Sequence, residues 1–250
     1  MIGIIFAAGI GTRLKPFTDR HPKALAPLGG VPALVRVARK LIDAGARGLI
    51  VNVHHFPGQI RECIAAQPFA HMVEISDESQ LLLDTGGALA KIARESRLFR
   101  LTDDNEQVMV HNADICTDFD MADMCRAQAS AASDATILVD PRRESTRHFL
   151  FGSDGRLCGW ENTAKGITRP DGLDTAGLTA AAFGGVHVMP ASTVRRIAAT
   201  APAPLGPFSI TDWYIDHCRS EHIAAFTPTH PYRWHDIGTP EKLAAAQACF

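Results

Sequence analysis

The chain is short of several features that would assign it to a class at once. No apolar run approaches the roughly 18 residues that a bilayer span requires, so neither a spanning helix nor a membrane partner is expected. Its six cysteines, Cys63, Cys116, Cys125, Cys158, Cys218 and Cys249, show no CxxC or metal-ligand spacing and fall in apolar or mixed segments. That pattern reads as reduced, packed thiols and a cytoplasmic location. There is no excess of charge: a formal net charge of −2 offers no basic face for nucleic acid, so any phosphate chemistry has to sit in a pocket. The first six residues lack the basic region and long apolar stretch of a secretion signal, and neither an internal repeat nor a low-complexity tract is present.

What remains is the composition of an ordinary globular protein, 46% hydrophobic and 21% charged over 250 residues. That length suits one large domain or two lobes sharing a core. Residues 1–6 form a short apolar run that reads as a buried strand. Pro32 opens a segment in which Leu34, Val37, Ala38, Leu41 and Ile42 recur at helical spacing, with Gly45 where a C-terminal cap belongs. Residues 48–55 read as a second buried strand and 58–67 as a second helix. Further strands are expected at 73–76, 108–111 and 135–139, and helices near 87–95 and 121–131. Strands alternating with helices predict an α/β protein with a mostly parallel sheet covered on both faces.

The pattern then changes. Asp154-Gly155 stands between two apolar runs and predicts a hairpin, and a polar loop at 163–177 precedes another apolar strand at 180–189 and a short helix at 209–218. The chain closes on a strand end followed by a helix with Thr239 as N-cap, Pro240 at the first helical position and Glu241 in the first turn. Residues 1–125 therefore read as a nucleotide-binding half, and 126–250 as a second, α+β half carrying the C-terminal helix.

The chemistry concentrates in "FAAGIGTRLKPFTDRHPKAL", residues 6–25. A strand feeding a glycine-rich loop with basic residues is a common phosphate cradle, because backbone N–H groups close on oxygens where no Cβ intervenes. The dinucleotide fingerprint fails, since Leu14 stands where its third glycine belongs, and the P-loop pattern is absent. Arg13 and Lys23 could meet one polyphosphate from two sides. On glycine and charge alone, a plain turn with a solvated lysine is an equal alternative.

The same stretch closely resembles the signature of the nucleoside-triphosphate transferases that make sugar nucleotides, roughly G-x-G-T-R-x-x-P-x-T-x-x-x-P-K. Three more segments match in order: "LLLDTGGAL" at 81–89, "VHNADI" at 110–115 and "WHDIGTPEKL" at 234–243. Within that family the chain looks most like N-acetylmuramate-1-phosphate uridylyltransferases and the small hexose-1-phosphate guanylyltransferase-like proteins. The resemblance implies a Rossmann-like three-layer α/β/α sandwich with a mixed, mostly parallel central sheet and a smaller sugar-binding lobe. It implies an NTP (UTP, alternatively GTP or CTP) and a sugar-1-phosphate as substrates, Mg²⁺ as cofactor, and a monomer or homodimer.

Residue by residue, the resemblance gives Arg13 and Lys23 catalytic roles. It gives the nucleotide to Ala8, Gly9, Gly11, Thr12, Arg13, Asp84, Thr85, Gly86, Gly87 and Asn112. Asp114 and Asp236 become the metal ligands, and Glu161 and Asn162 contacts of the sugar. Ala113 stands where relatives carry glycine, and Asn162 where several carry lysine. Thr85, Gly86 and Gly87 serve equally as a helix N-terminus. His54, His55 and His111 are expected to be packed or hydrogen-bonded, Asp118 and Asp120 to form turns or caps, and Trp160, Trp213 and Trp234 to be core or cleft-wall aromatics.

Overall fold

A computed structural model describes residues 1–249. The first strand, β1 (Ile2–Phe6), runs into a loop of three single 3-10 turns and a small hairpin, β2 (Pro27–Leu28) with β3 (Val31–Pro32). Helix α1 (Ala33–Asp43) follows and buries Leu34, Val37, Ala38 and Leu41, one stripe at helical spacing. It ends at Gly45, where φ is +94°. There the Gly45 N–H reaches the Ile42 carbonyl and the Ala46 N–H that of Leu41, satisfying carbonyls the helix leaves over. The chain continues through β4 (Leu49–Val53), α2 (Pro57–Ala65), β5 (Val73–Asp77), α3 (Asp84–Glu95), α4 (Arg97–Arg100), β6 (Gln107–Asn112), β7 (Ile115–Thr117), α5 (Met121–Ala131) and β8 (Ala135–Asp140). The second half holds β9 (Arg147–Phe151), β10 (Leu157–Asn162), β11 (Ile167–Arg169), β12 (Thr179–Pro190), α6 (Ala191–Thr200), α7 (Ile210–His217), β13 (Ile223–Phe226), β14 (Trp234–Asp236) and α8 (Pro240–Gln247).

Strands β5, β4, β1 and β6 lie side by side and parallel, and β12 joins β6 antiparallel. From β1 the chain builds outward to β5 and then crosses back to β6 on the other side. The crevice at the C-terminal ends of β1 and β6 is therefore the switch point at which such sheets bind ligands. Strand β12 also carries the sheet outward: residues 186–190 pair with β6 and 179–181 with β9, and on its pairing with β8 the register shifts between Phe183 and His187, across the Gly184-Gly185 pair. Beyond β9 lie β10 and β11, the smaller lobe.

Alternation along the strands divides the core into two faces. Ile2 and Ile4 point toward α3, α6 and α7, where Leu89, Ile197 and Tyr214 pack, while Ile5 faces α1, α2 and α5 with Leu41, Ile60 and Met124. This is the expected three-layer arrangement, and each layer draws on both halves of the chain. The hairpin forms at 152–156 with Gly155 at φ +76° and the Asp154 carboxylate accepting from the Arg156 N–H. Thr239 caps α8 by accepting from the Lys242 N–H, and Asp120 caps α5 through the Ala122 N–H. Helix α3 begins three residues before the expected 87; α4, β7, α6 and β13 are additions to the elements expected from sequence, and β11 falls inside the segment 163–177 expected as a loop. No helix among the described residues is long and apolar enough to cross a membrane.

Candidate active site

A cleft of about 450 Å³ opens at the switch point, a size that suits a small-molecule site. Phe6, Ala7, Ala8 and Gly9 form one wall, Asn112, Ala113 and Asp114 another, and Asp84, Thr85 and Pro207 a third. The loop after β1 is held in place from below. Asn52 in β4, almost fully buried, accepts from the Ala7 N–H at 2.7 Å and donates to Glu78 at 2.8 Å. Glu78 in turn accepts from the Leu83 N–H at 3.1 Å. Burial pushes the Glu78 carboxyl above its usual range, against the hydrogen bonds from Asn52 and Leu83 that favour its charged form.

Two glycines in the loop differ in what they do. Gly11 adopts φ +70° and lies against Thr18 and Lys23, so it turns the chain; Thr18 donates to its carbonyl at 2.8 Å. Gly9 has an ordinary φ and no protein atom within 4 Å of where a Cβ would stand. Its missing side chain serves no packing need, and the space faces the cleft. Thr12 and Arg13 follow in an exposed 3-10 turn.

Lys23 reaches across from the third 3-10 turn to form an ion pair with Asp114. Asp114 follows β6, and β7 behind it pairs antiparallel with β14, placing Asp236 opposite Ile115. The Ile237 N–H donates to the Asp114 carbonyl at 3.0 Å. The two aspartates predicted from distant segments are thus neighbours on adjacent backbone. Lys242, one turn into α8, holds Asp236 at 2.5 Å, and the Gly238 N–H donates to its other oxygen, also at 2.5 Å. Burial alone would raise the Asp236 carboxyl; Lys242, the Gly238 N–H and the more distant Lys23 outweigh it and hold the group below the usual carboxylate range. Arg13 belongs to this cluster too, since a Cβ on Gly238 would stand 3.3 Å from its guanidinium.

The donor chemistry fits Mg²⁺. Asp114 and Asp236 are two hard carboxylates on adjacent backbone, donors of the kind this ion takes together with phosphate oxygens and water; among the described residues no group of three or more His, Cys, Asp or Glu side chains could hold a metal. Asp114 and Asp236 are the residues that would hold it.

The structure separates other predicted residues. Asp84 and Thr85 reach the cleft, but Gly86 and Gly87 do not line it: both N–H groups donate to the Phe208 carbonyl, at 2.9 and 3.2 Å. A Cβ on Gly86 would run into the Phe208 ring and lie 3.0 Å from its carbonyl oxygen. Thr85 meanwhile accepts from the Ile210 N–H at 2.9 Å. These glycines seat the start of α3 against the segment leading to α7. Glu161 and Asn162 lie on β10, where Glu161 contacts His148 at 3.1 Å and Asn162 is buried on the other face. His54 and His55 bond the carbonyls of Glu78 and Thr18, and His111 is fully enclosed. Trp213 is buried, Trp234 donates to the Gly184 carbonyl, and Trp160 lines a separate cavity.

Sequence reasoning missed Asn52, Glu78, Lys242 and the segment around Pro207 and Phe208. Asn52 was detectable as the polar residue inside an otherwise apolar strand, and Lys242 lay within a segment already singled out. Glu78 carries no local signal.

A parallel-sheet switch point with a glycine-lined cleft and two neighbouring carboxylates, each paired with its own lysine, is the setting of a nucleotide-handling α/β protein. The model of the family described as nucleotidyl transferase matches residues 2–156. The chain belongs to that family and is a nucleotidyltransferase. It is 27% identical to the N-acetylmuramate alpha-1-phosphate uridylyltransferase of Caulobacter vibrioides, over 99% of this chain and 96% of that protein. It is 31% identical to the mannose-1-phosphate guanylyltransferase catalytic subunit beta of Danio rerio, over the whole of this chain and 64% of that one. The crystal structure of HddC from Yersinia pseudotuberculosis shares the fold over the full length of both chains, with a TM-score of 0.73 at 21% identity; a second structure of it is complexed with GMP-PN.

Proposed function

We propose that the protein transfers a nucleotidyl group from an NTP to a sugar-1-phosphate, releasing pyrophosphate in a Mg²⁺-dependent reaction. The observation that carries this reading is the meeting of Gly9, Lys23, Asp114 and Asp236 at one crevice from three distant segments. Both reactants are anions, and the attacking phosphate oxygen is already ionised at neutral pH, so the site needs positioning and positive charge rather than a general base. Mg²⁺, when bound, would neutralise phosphate charge. Backbone N–H groups around Gly9 would receive the triphosphate, Arg13 the departing β- and γ-phosphates, and Lys23 would stand between the α-phosphate and the incoming sugar phosphate. Asp84, Thr85 and Asn112, which line the cleft, would meet base and ribose.

For substrates, UTP with N-acetylmuramate-1-phosphate is the first reading, supported by the uridylyltransferase that matches almost end to end. GTP with a mannose-type phosphate is the second, supported by the higher identity of the guanylyltransferase. The test is pyrophosphate release from purified protein with and without Mg²⁺, crossing four NTPs with N-acetylmuramate-, N-acetylglucosamine-, mannose- and glucose-1-phosphate. One preferred pair is expected; nucleotide binding without release from any pair would turn the reading toward a nucleotide sensor.

A further inference from the structure

A cavity of about 120 Å³ lies between α1, β6 and β7, beneath the turn that carries Asp114. Arg36 and Lys40 line it from α1, His111 from β6, and Cys116 and Thr117 from β7. The volume is well above the roughly 10–15 Å³ that admits one water. A recess of about 320 Å³ shares Arg36 and Lys40 with it and includes the exposed Arg39 and Asp43, which gives a way in from solvent. No residue lines both this cavity and the nucleotide cleft.

Two buried side chains of that lining lack partners. His111 is 1% exposed and Thr117 7%, and the His111 Nε2 and the Thr117 Oγ1 make no hydrogen bond among the described residues. Buried polar groups are almost always satisfied, so a ligand belongs in this space. The His111 Nδ1 lies 2.8 Å from the Asn112 carbonyl oxygen, which only accepts, so the ring proton sits on Nδ1. Burial keeps the ring neutral, and Nε2 is therefore a bare acceptor in need of a donor.

Lys40 adds a charge without a counter-ion. Its half-buried ammonium stands 5.6 Å over the Phe119 ring and forms no ion pair or hydrogen bond among the described residues. Desolvation pulls its pKa below the usual lysine range, outweighing Asp118, Asp120 and Asp43, which act from beyond ion-pair distance. Arg36 alongside has its Nε committed to the Leu28 carbonyl at 2.9 Å. Water would satisfy the histidine and the threonine but leave the ammonium uncompensated. An oxoanion that keeps a proton serves all three: its O–H donates to His111, and its charged oxygens accept from Lys40 and Thr117.

We propose that this cavity is a binding site for a small protonated oxoanion, hydrogen phosphate being the ligand of matching chemistry, separate from the nucleotide cleft. The His111 lone pair sets the selectivity. Sulfate has the same tetrahedral shape but no proton at neutral pH, so it would turn a bare oxygen toward Nε2.

The test titrates inorganic phosphate and sulfate by calorimetry into the protein without nucleotide or Mg²⁺, comparing the wild type with Lys40→Gln, Thr117→Val and Lys23→Gln. Phosphate is expected to bind at least tenfold more tightly than sulfate. Its affinity should fall roughly tenfold or more on loss of the Lys40 charge or the Thr117 hydroxyl, the size of one charge-assisted hydrogen bond. Lys23→Gln should retain that binding, which separates the cavity from the cleft. Lys40→Gln removes only an unpaired charge at a half-buried position, so it tests the site even where Thr117→Val fails to fold. No phosphate binding to the wild type, equal affinity for sulfate, or binding unchanged in Lys40→Gln overturns the assignment, as does binding lost in Lys23→Gln, which would put the phosphate in the nucleotide cleft.

Discussion

Gly9 and Gly86 both stand in segments that resemble phosphate- or base-binding loops, yet one faces open space and the other packs against Phe208, and alanine at each tests the two settings. Gly9 has an ordinary φ and open space around the Cβ position. Gly9→Ala should leave stability unchanged or raise it by about 0.4–1 kcal/mol through the unfolded chain, a rise of roughly 1–4 °C in Tm for a chain of this size. The same methyl enters the space in which a triphosphate would approach the backbone. Losing one charge-assisted hydrogen bond there, about 1.5–3 kcal/mol, predicts a roughly 10- to 150-fold higher KM for the NTP. At Gly86 the methyl meets the Phe208 ring and lies 3.0 Å from the Phe208 carbonyl oxygen. Overpacking of this kind costs about 1–3 kcal/mol, a fall of roughly 2–12 °C. Thermal unfolding and NTP titration of both variants decide the matter. A Gly9→Ala enzyme with an unchanged KM for the NTP refutes the cradle, and a Gly86→Ala protein with normal Tm and impaired NTP binding refutes the packing role.

Asp114→Asn and Asp236→Asn should each abolish Mg²⁺-dependent turnover while circular dichroism stays native; near-normal turnover across a Mg²⁺ titration in either would remove that residue from the metal site. Asn52→Leu strands the Ala7 N–H and takes a donor from Glu78, with an expected cost of about 2–4 kcal/mol. Because Asn52 favours the charged form of Glu78, the loss should be greater at pH 8 than at pH 5, and Tm deficits equal at the two pH values would contradict the linkage. Burial holds His187 down to about 3 and His111 to about 4. Depressed folded values mean that their contribution is complete above the unfolded value near 6.5 and is lost as pH falls from there toward 4. The stability slope should approach about 2.7 kcal/mol per pH unit from the two together, and His187→Gln should remove close to half of it in denaturant titrations at pH 6.5 to 4.5.

What was legible in the sequence was local. The Gly45 cap, the Asp154-Gly155 turn and the Thr239-Pro240 helix start each depend on residues a few positions apart, and each formed as expected. Helix α6 was missed although Ala191, Val194, Ile197 and Ala198 carry its periodicity, because no break separates it from β12 except Pro190. Strand β13 has four residues and no alternation to betray it. The antiparallel seat of β12 beside β6 follows from packing over about 75 residues of sequence, beyond any local pattern. In the site, Asp114 and Asp236 were visible because each sits in its own motif. Glu78 was invisible because its role is to hold Asn52, which lies on another strand. Residues 86–87 carry two readings, a base contact and a helix start, and the structure shows the helix start: a glycine needed for close approach of a ligand and one needed for close approach of Phe208 look alike in sequence.

The pairing of charges explains how such a site can stand ready. Two carboxylates side by side would repel each other and raise their own pKa values, yet Asp236 is held below the usual range. Lys23 answers Asp114 and Lys242 answers Asp236, so each aspartate carries its own counter-ion. In the proposed reaction Asp114 and Asp236 would hold the divalent cation and Lys23 would meet phosphate, while Lys242 stays with Asp236. Lys23 is the more enclosed of the two, its side chain 11% exposed against 53% for Lys242. An ammonium released in a partly enclosed cleft acts on phosphate with less screening than one at the surface. Under the proposed reaction that difference favours Lys23 as the partner of the transferred phosphate, with Lys242 keeping Asp236 charged and in place.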